Sequence, residues 1–452
     1  MKKLFRLLTN LLLVLISATA MLVLCELVFQ RLIFSEWEKA EFLREPGAYA
    51  DIYADQHENI YSQEYWTLYN IFGKFFRPPE IPHPLLGWVG KFDRDDLVHW
   101  EKNKVKGRRP VLLFGDSFSY CVGAKCFEDF LNEDSAFSSK YYLLNYGVGG
   151  YGVDQIYLLS REVIPMYDDP IVIFGMMTRD MDRSILKFRT GQKPYFEIAD
   201  GQLELKGVPM EPKASYFIER NMPEITSYLF RYLRNSLSQT LPENHEKTMA
   251  IKEKIKTLND LILKESHQLL EQSGLDYRFL VFSPVYQSDG EWREIDIRNF
   301  LEKNHAPYIF TKDIFKADSN FSAQNLRFFE ADNGHPTAYL NGLISDEIKR
   351  CIMDSAYASI VDSLNSLKYE SVKNSYNETH LDHYIMLIKN DAVWLASIDQ
   401  KASDKGISRD SMLKLDAAWL MEMDRRAKEM GISRDSLINL EASRQLKQGI
   451  NN

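Results

Sequence analysis

Pro110-Val111-Leu112-Leu113-Phe114-Gly115-Asp116-Ser117-Phe118-Ser119 decides how the rest of the chain is read. An apolar run stops abruptly at Gly-Asp-Ser, and a helix-compatible segment follows. The pattern predicts a buried parallel strand, a tight turn and a helix start, with Ser117 on the turn. Such a serine lies at the carboxyl edge of a sheet, where open α/β folds bind ligands. Two readings are open from this stretch alone. Ser117 is either a helix N-cap, a common task for serine, or a nucleophile whose oxyanion would be met by the unpaired N–H groups of a helix start.

The same strand-then-helix grammar repeats along the chain. Tyr141–Leu144 reads as a second strand that runs into the glycine-dense turn Asn145-Tyr146-Gly147-Val148-Gly149-Gly150-Tyr151-Gly152, with a helix from Val153. Pro170–Gly175 reads as a third strand, Tyr277–Phe282 as a fourth and Tyr308–Phe310 as a fifth. Helices are expected over Phe118–Asn132, Glu243–Gln272 and Trp292–Lys303, and from the Asp332–Thr337 turn to Ile352. In the last of these, Pro336 suits the first helical position and His335 the cap. Alternating helices and continuously apolar strands predict an α/β fold with a parallel sheet covered on both faces. Residues 185–240 interrupt the alternation with a hairpin-like pair, Lys193–Glu197 and Asp200–Leu205, expected at the rim where binding loops lie. Residues 35–105, rich in aromatics and prolines, read as an irregular lead-in that wraps onto the 106–355 domain.

The chain has 452 residues, enough for more than one folded unit. Its net charge of −9 argues against a nucleic-acid-binding surface. Four cysteines make no disulfide framework and no metal-like Cys/His spacing occurs, so neither metal nor cofactor is expected. Cys121 and Cys126 read as two buried thiols, with pairing the alternative in an oxidising compartment. Residues 1–34 read as a membrane anchor. Lys2, Lys3 and Arg6 precede an apolar stretch that reaches the ~20 residues of a span, and the basic flank favours an inside amino terminus. A cleaved signal peptide is the competing reading, because Ala18-Thr19-Ala20 resembles a cleavage box. Either way the bulk of the chain is expected outside the cytoplasm, as in a periplasm.

Residues 356–452 turn polar and helical and contain a repeat. Asp391-Ala392-Val393-Trp394-Leu395 returns 25 residues later as Asp416-Ala417-Ala418-Trp419-Leu420, and Gly406–Ser411 returns at Gly431–Ser436 with the same spacing. Each Gly-Ile-Ser predicts a helix stop at glycine and a serine cap for the next helix. Stacked helical hairpins follow, with Trp394, Ile398, Trp419 and Met423 as packing residues. A protein partner on their outer faces is the other use of such helices.

Three features converge on the sheet edge that carries Ser117. The Gly147–Gly152 loop leaves the second strand at the same edge, and its glycines let backbone N–H groups approach a ligand. Asp332 and His335, three residues apart around one turn, place a carboxylate near an imidazole and fix the tautomer that leaves Nε2 as base. Together they offer nucleophile, base, orienting acid and oxyanion donors.

On these residues the chain resembles the SGNH/GDSL hydrolase superfamily. Gly115-Asp116-Ser117 is similar to its first block, Asn145–Gly150 to its second, and Asp332-Asn333-Gly334-His335 to its last, over about residues 110–355. The resemblance implies a flavodoxin-like three-layer α/β/α sandwich with Ser117 as nucleophile, His335 as base, Asp332 as its partner, and the N–H groups of Ser117 and Gly150 in the oxyanion hole. It also implies a membrane-anchored serine esterase or O-acyltransferase acting on an acylated surface polysaccharide or other ester. Gly175-Met176-Met177-Thr178-Arg179-Asp180 departs from the third block, which carries an asparagine in the family. Here that place falls to Arg179 or Asp180. Losing one oxyanion donor costs about 10²–10³ in rate, so activity would survive. The alternative is a catalytically weak or inactive protein of the same fold that binds glycan or acts as a scaffold.

Overall fold

The computed structural model describes residues 2–35, 37–50, 53–55, 58–60, 62–73, 81–237, 245–284, 291–318, 327–330, 334–390, 392–406 and 408–429. In chain order, helix α1 (Lys2–Ile33) and helix α2 (Gln63–Ile71) precede strand β1 (Arg109–Gly115), α3 (Ser117–Tyr120) and α4 (Phe127–Glu133). Strand β2 (Tyr141–Gly147), α5 (Val153–Val163), β3 (Ile171–Met177) and α6 (Asp180–Arg183) follow. Beyond a Tyr195–Ala199/Gln202–Lys206 hairpin come α7 (Tyr228–Leu237), α8 (His245–Gln272), β4 (Tyr277–Phe282), α9 (Trp292–Lys303), β5 (Tyr308–Phe310), α10 (Thr311–Ala317) and α11 (Ala338–Met353).

The five strands form one sheet in the order β2-β1-β3-β4-β5, and every pairing is parallel. The register sets Leu113 beside Asn145 and Ile173, and Leu280 beside Ile309. Alternate side chains leave opposite faces. Val111, Leu113, Leu143, Ile173 and Leu280 share one core with Phe127 and Leu131 of α4, Phe315 of α10, and Leu340, Ile344 and Ile348 of α11. Leu112, Phe114, Val172, Phe174 and Phe279 face the other way and are equally buried, where α5 lies on β1 and β3 and α8 packs on α5. Covering on both faces is why the strands read as unbroken apolar runs rather than alternating ones. The chain steps outward from β1 to β2 and then back across to β3, so the order reverses at the carboxyl ends of β1 and β3. Ligands of open α/β sheets bind at such a reversal, and Ser117 stands there.

The structure corrects several expectations. The helix expected over Phe118–Asn132 is two short helices. Between them Cys121 adopts φ +57 and forms a disulfide with Cys126, so these cysteines are not separate thiols. A left-handed residue and a staple across five positions cannot be accommodated in one continuous helix. β2 extends through Gly147, and the glycine turn therefore starts at Val148. α11 begins at Ala338, because the Thr337 hydroxyl accepts the Leu340 N–H and takes the cap; Pro336 instead pairs across a bridge with Phe329. The lead-in contains a true helix, α2, capped by the Ser62 side chain.

Within α1, Leu8–Ile33 is long and apolar enough to cross a membrane. By contact, the chain forms two compact units, residues 1–286 with 300–361, and residues 287–299 with 362–452. The second holds most of α12 (Ser355–Asn390), α13 (Ala392–Lys405) and α14 (Arg409–Glu429). α13 stops at Gly406, φ +65, and Ser408 caps α14 by accepting the Ser411 N–H. Ile388, Ile398, Leu413 and Leu420 form its core, Met423 is buried, and the Trp394 indole donates to Asp416 at 2.7 Å. Trp419 meets the Trp394 ring edge-on but is 43% exposed, so it is less a core residue than its spacing suggests. The second Gly-Ile-Ser, at 431–433, lies outside the described residues.

Candidate active site

Asp116, not Ser117, caps α3. Its buried carboxylate accepts the Phe118 N–H at 2.9 Å. The Ser117 hydroxyl is thereby free of the capping task, and it lies 2.9 Å from His335 Nε2 and 3.3 Å from Asp116 Oδ2. The tight approach beneath it requires glycine. A Cβ on Gly115 would sit 1.9 Å from the Ser119 hydroxyl, and one on Gly175 would sit 2.5 Å from both that hydroxyl and the Phe114 carbonyl.

His335 is held by its backbone and by its ring. Residues 328–330 pair with 334–337: Thr337 N–H donates to the Phe328 carbonyl, Glu330 N–H to that of His335 and Gly334 N–H to that of Glu330. The imidazole packs on Phe118 with centroids 5.0 Å apart, and Phe118 in turn leans on Phe282. A β1–α3 residue and a residue 218 positions later are thus brought within hydrogen-bond distance. An imidazole nitrogen there can take the hydroxyl proton as the oxygen attacks an electrophile. Asp332 lies outside the described residues.

The glycine loop completes this edge. Val148 N–H donates to the Gly115 carbonyl at 2.9 Å, tying the two turns together, and a Cβ on Gly149 would lie 3.9 Å from that of Ser117. Gly150 has φ +85, and a Cβ there would meet Arg189 Nη1 at 2.6 Å and the Thr190 hydroxyl at 2.8 Å. The Trp88 indole donates to the Gly149 carbonyl at 2.9 Å. In a trans peptide the C=O and the following N–H point to opposite sides. Trp88 therefore turns the Gly150 N–H away from itself. Its ring is held edge-on against Tyr151, whose hydroxyl donates to the Trp88 carbonyl.

The turn after β3 behaves differently from the sequence expectation. Asp180 is fully buried; its Oδ2 accepts the Met177 N–H at 2.7 Å and its Oδ1 meets Arg183. Arg183 also reaches Asp116 Oδ2 and the Tyr151 carbonyl, each at 3.0 Å. Burial, and then the charge of Asp116, push the Asp180 carboxyl well above the usual carboxylate range. Asp180 is thus engaged by the Met177 N–H and Arg183, beside Asp116. Arg179, at the N-cap of α6, makes no capping bond.

Residues that sequence reading did not single out carry much of this support. Arg189 lies over the Trp66 ring at 4.5 Å, and burial followed by the nearby Arg183 charge pulls its guanidinium down to about 9. α2 fixes that segment: Gln63 donates to the Phe188 carbonyl and accepts the Phe188 N–H. Lys193 forms a wholly buried ion pair with Asp154 and donates to the Leu186 and Arg183 carbonyls, locking residues 183–193 to the start of α5. Burial pushes the Asp154 carboxyl up to about 6 and depresses the Lys193 ammonium. Arg183, by contrast, carried a local signal, its spacing of three from Asp180. Among the described residues no cluster of His, Cys, Asp and Glu is arranged to hold a metal ion. No family model matches the chain, and no curated protein matches its sequence.

Proposed function

We propose that this protein is a serine esterase or O-acyltransferase of the SGNH/GDSL type, acting on acyl groups of a surface glycan. The observation that carries the reading is the 2.9 Å approach of His335 Nε2 to the Ser117 hydroxyl at the reversal point of the sheet. Support also comes from the strand order 2-1-3-4-5, the order of flavodoxin-like doubly wound folds. Ser117 Oγ attacks the acyl carbonyl as its proton passes to His335. The N–H groups of Ser117 and Gly150 take the oxyanion, and the tetrahedral intermediate collapses as His335 returns the proton to the departing alkoxide. Water or a sugar hydroxyl then attacks the acyl-enzyme, giving hydrolysis or transfer. Asp332 is assigned the orienting carboxylate from the sequence pattern. The Cys121–Cys126 disulfide fits an oxidising compartment, and α1 is assigned as an uncleaved anchor with its amino terminus inside.

The test is covalent labelling of Ser117 by a fluorophosphonate together with p-nitrophenyl acetate turnover by wild type and Ser117→Ala. Labelling at Ser117 and loss of turnover are expected; equal rates in the two proteins sink the catalytic role. A second reading, a weak or inactive glycan-binding relative, is favoured by one observation. The place of the expected third oxyanion donor falls to Arg179 or Asp180, and the Asp180 carboxylate is engaged by the Met177 N–H and Arg183. It predicts no adduct on Ser117 but measurable glycan binding.

A further inference from the structure

The lower end of α1 is part of the folded domain. The Glu26 carboxylate caps α7, with Oε2 accepting the Ser227 hydroxyl at 2.6 Å and the Leu229 N–H at 3.1 Å, and Oε1 accepting the Tyr228 N–H at 2.8 Å. Phe29 packs on Tyr232, Phe34 meets Tyr228 edge-on, and Ile33 is buried. Above that point the helix is bare: every side chain from Leu8 to Cys25 is exposed. Those 18 residues span roughly 27 Å at about 1.5 Å per residue, against a hydrocarbon core of about 30 Å. The missing ~3 Å, about two residues by the same rise, brings the bilayer boundary to the turn that begins at Glu26. The exposed Arg31 follows at headgroup level. The domain therefore meets the lipid at the turn to which α7 is fastened, with no tether between them.

Large apolar side chains stand uncovered on the two elements that pack on α1. Trp37, just before the short helical segment Glu38–Leu43, and Phe42 within it are 55% and 71% exposed, and Phe230 and Leu233 of α7 are 65% and 49% exposed. Phe230 and Leu233 are three apart and share one face of α7, while Tyr228 and Tyr232 pack inward. Indole and phenyl rings next to a span are suited to the headgroup region, where amphipathic and apolar groups exchange water for lipid.

Resting on the assignment of α1 as a bilayer span, we propose that Trp37, Phe42, Phe230 and Leu233 form a second, non-spanning surface that sits in the interface of the same phospholipid bilayer. The occupant is lipid, because the two elements that carry the patch, Glu38–Leu43 and α7, both pack on α1, whose stretch above Glu26 is bare. The domain is then seated on the membrane rather than swinging above it.

The experiment uses the full chain with Cys25→Ser and Cys351→Ser, reconstituted in phosphatidylcholine–phosphatidylglycerol vesicles. Nitroxides are placed by Leu15→Cys, Phe42→Cys, Phe230→Cys and, as an exposed apolar site elsewhere, Trp100→Cys. Labels at 15, 42 and 230 are expected to favour oxygen over a water-soluble nickel chelate, and the label at 100 the reverse. Water-like values at 42 and 230 with a lipid-like value at 15 overturn the seat while leaving the span intact. A water-like value at 15 removes both. Labels at 42 and 230 shielded from both reagents would mean protein covers the patch, which also overturns the proposal. A readout without labels uses the tryptophans, none of which lies in α1. Headgroup-proximal brominated lipid should quench wild-type emission, and Trp37→Phe should lose most of that quenching; equal quenching in the two counts against it.

Discussion

Two turns leave the same edge of the sheet, one after β1 and one after β3, and each carries a buried aspartate. After β1, Asp116 spends its carboxylate on the Phe118 N–H and on Arg183, and the next residue, Ser117, is left to present its hydroxyl to His335. After β3, Asp180 folds back on the Met177 N–H of its own strand and onto the same Arg183. One carboxylate frees its neighbour, whereas the other is consumed by the frame. Residue type is equal in the two turns; what differs is whether the acid caps a helix or closes a strand end.

The largest expected effect is at Ser117 and His335. Ser117→Ala or His335→Ala should lower ester turnover by about 10³-fold or more, while Asp180→Asn should not. Comparable losses from all three would erase the distinction. Next is the shared cation. Arg183→Met leaves Asp116 and Asp180 facing one another in the interior, and breaking such a buried pairing costs about 3–5 kcal/mol; denaturant midpoints measure it, and a change below 1 kcal/mol would show that Arg183 does not bind the turns together.

Trp88→Phe keeps the ring against Tyr151 but removes the donor to the Gly149 carbonyl. A fall of about 10-fold in kcat with KM unchanged is expected, smaller than loss of an oxyanion donor itself. Equal loss in kcat and fold stability would make Trp88 merely structural. The smallest effect is at Asp180. Its folded pKa is raised above the unfolded value, so its contribution to stability is present below that value, ~3.9, and is lost as pH rises through the folded one. Asp180→Asn should therefore flatten this part of the stability–pH profile and change stability near pH 4 by less than about 1 kcal/mol. An unaltered profile would contradict the raised carboxyl.

The five strands were legible because a strand covered on both faces must be apolar throughout, and Tyr277–Phe282 and Tyr308–Phe310 matched their expected bounds. The break after α3 was not, because it depends on a positive φ at Cys121 and a disulfide to Cys126 that helix propensity does not encode. Likewise Pro336 looked like a helix start only until Thr337, with a side-chain oxygen to offer, took the cap. α2 was hidden by its aromatic setting, although Ser62 before Gln63-Glu64 was a usable signal. At the site, Ser117, Gly150 and His335 were readable as local patterns. Arg189, Trp88 and Lys193 were not, since Trp66, Gly149 and Asp154, which they respectively meet, each lie 39 or more positions away.

The distance along the chain between the hydroxyl and the imidazole has a consequence in time. At synthesis rates of about 5–20 residues per second, 218 residues take roughly 10–45 s to follow Ser117 out of the ribosome. During that interval the serine has no imidazole beside it. On the proposed mechanism the Ser117–His335 pair is complete only once the turn before α11 has emerged, late in the synthesis of the sheet-bearing unit rather than with its first strand.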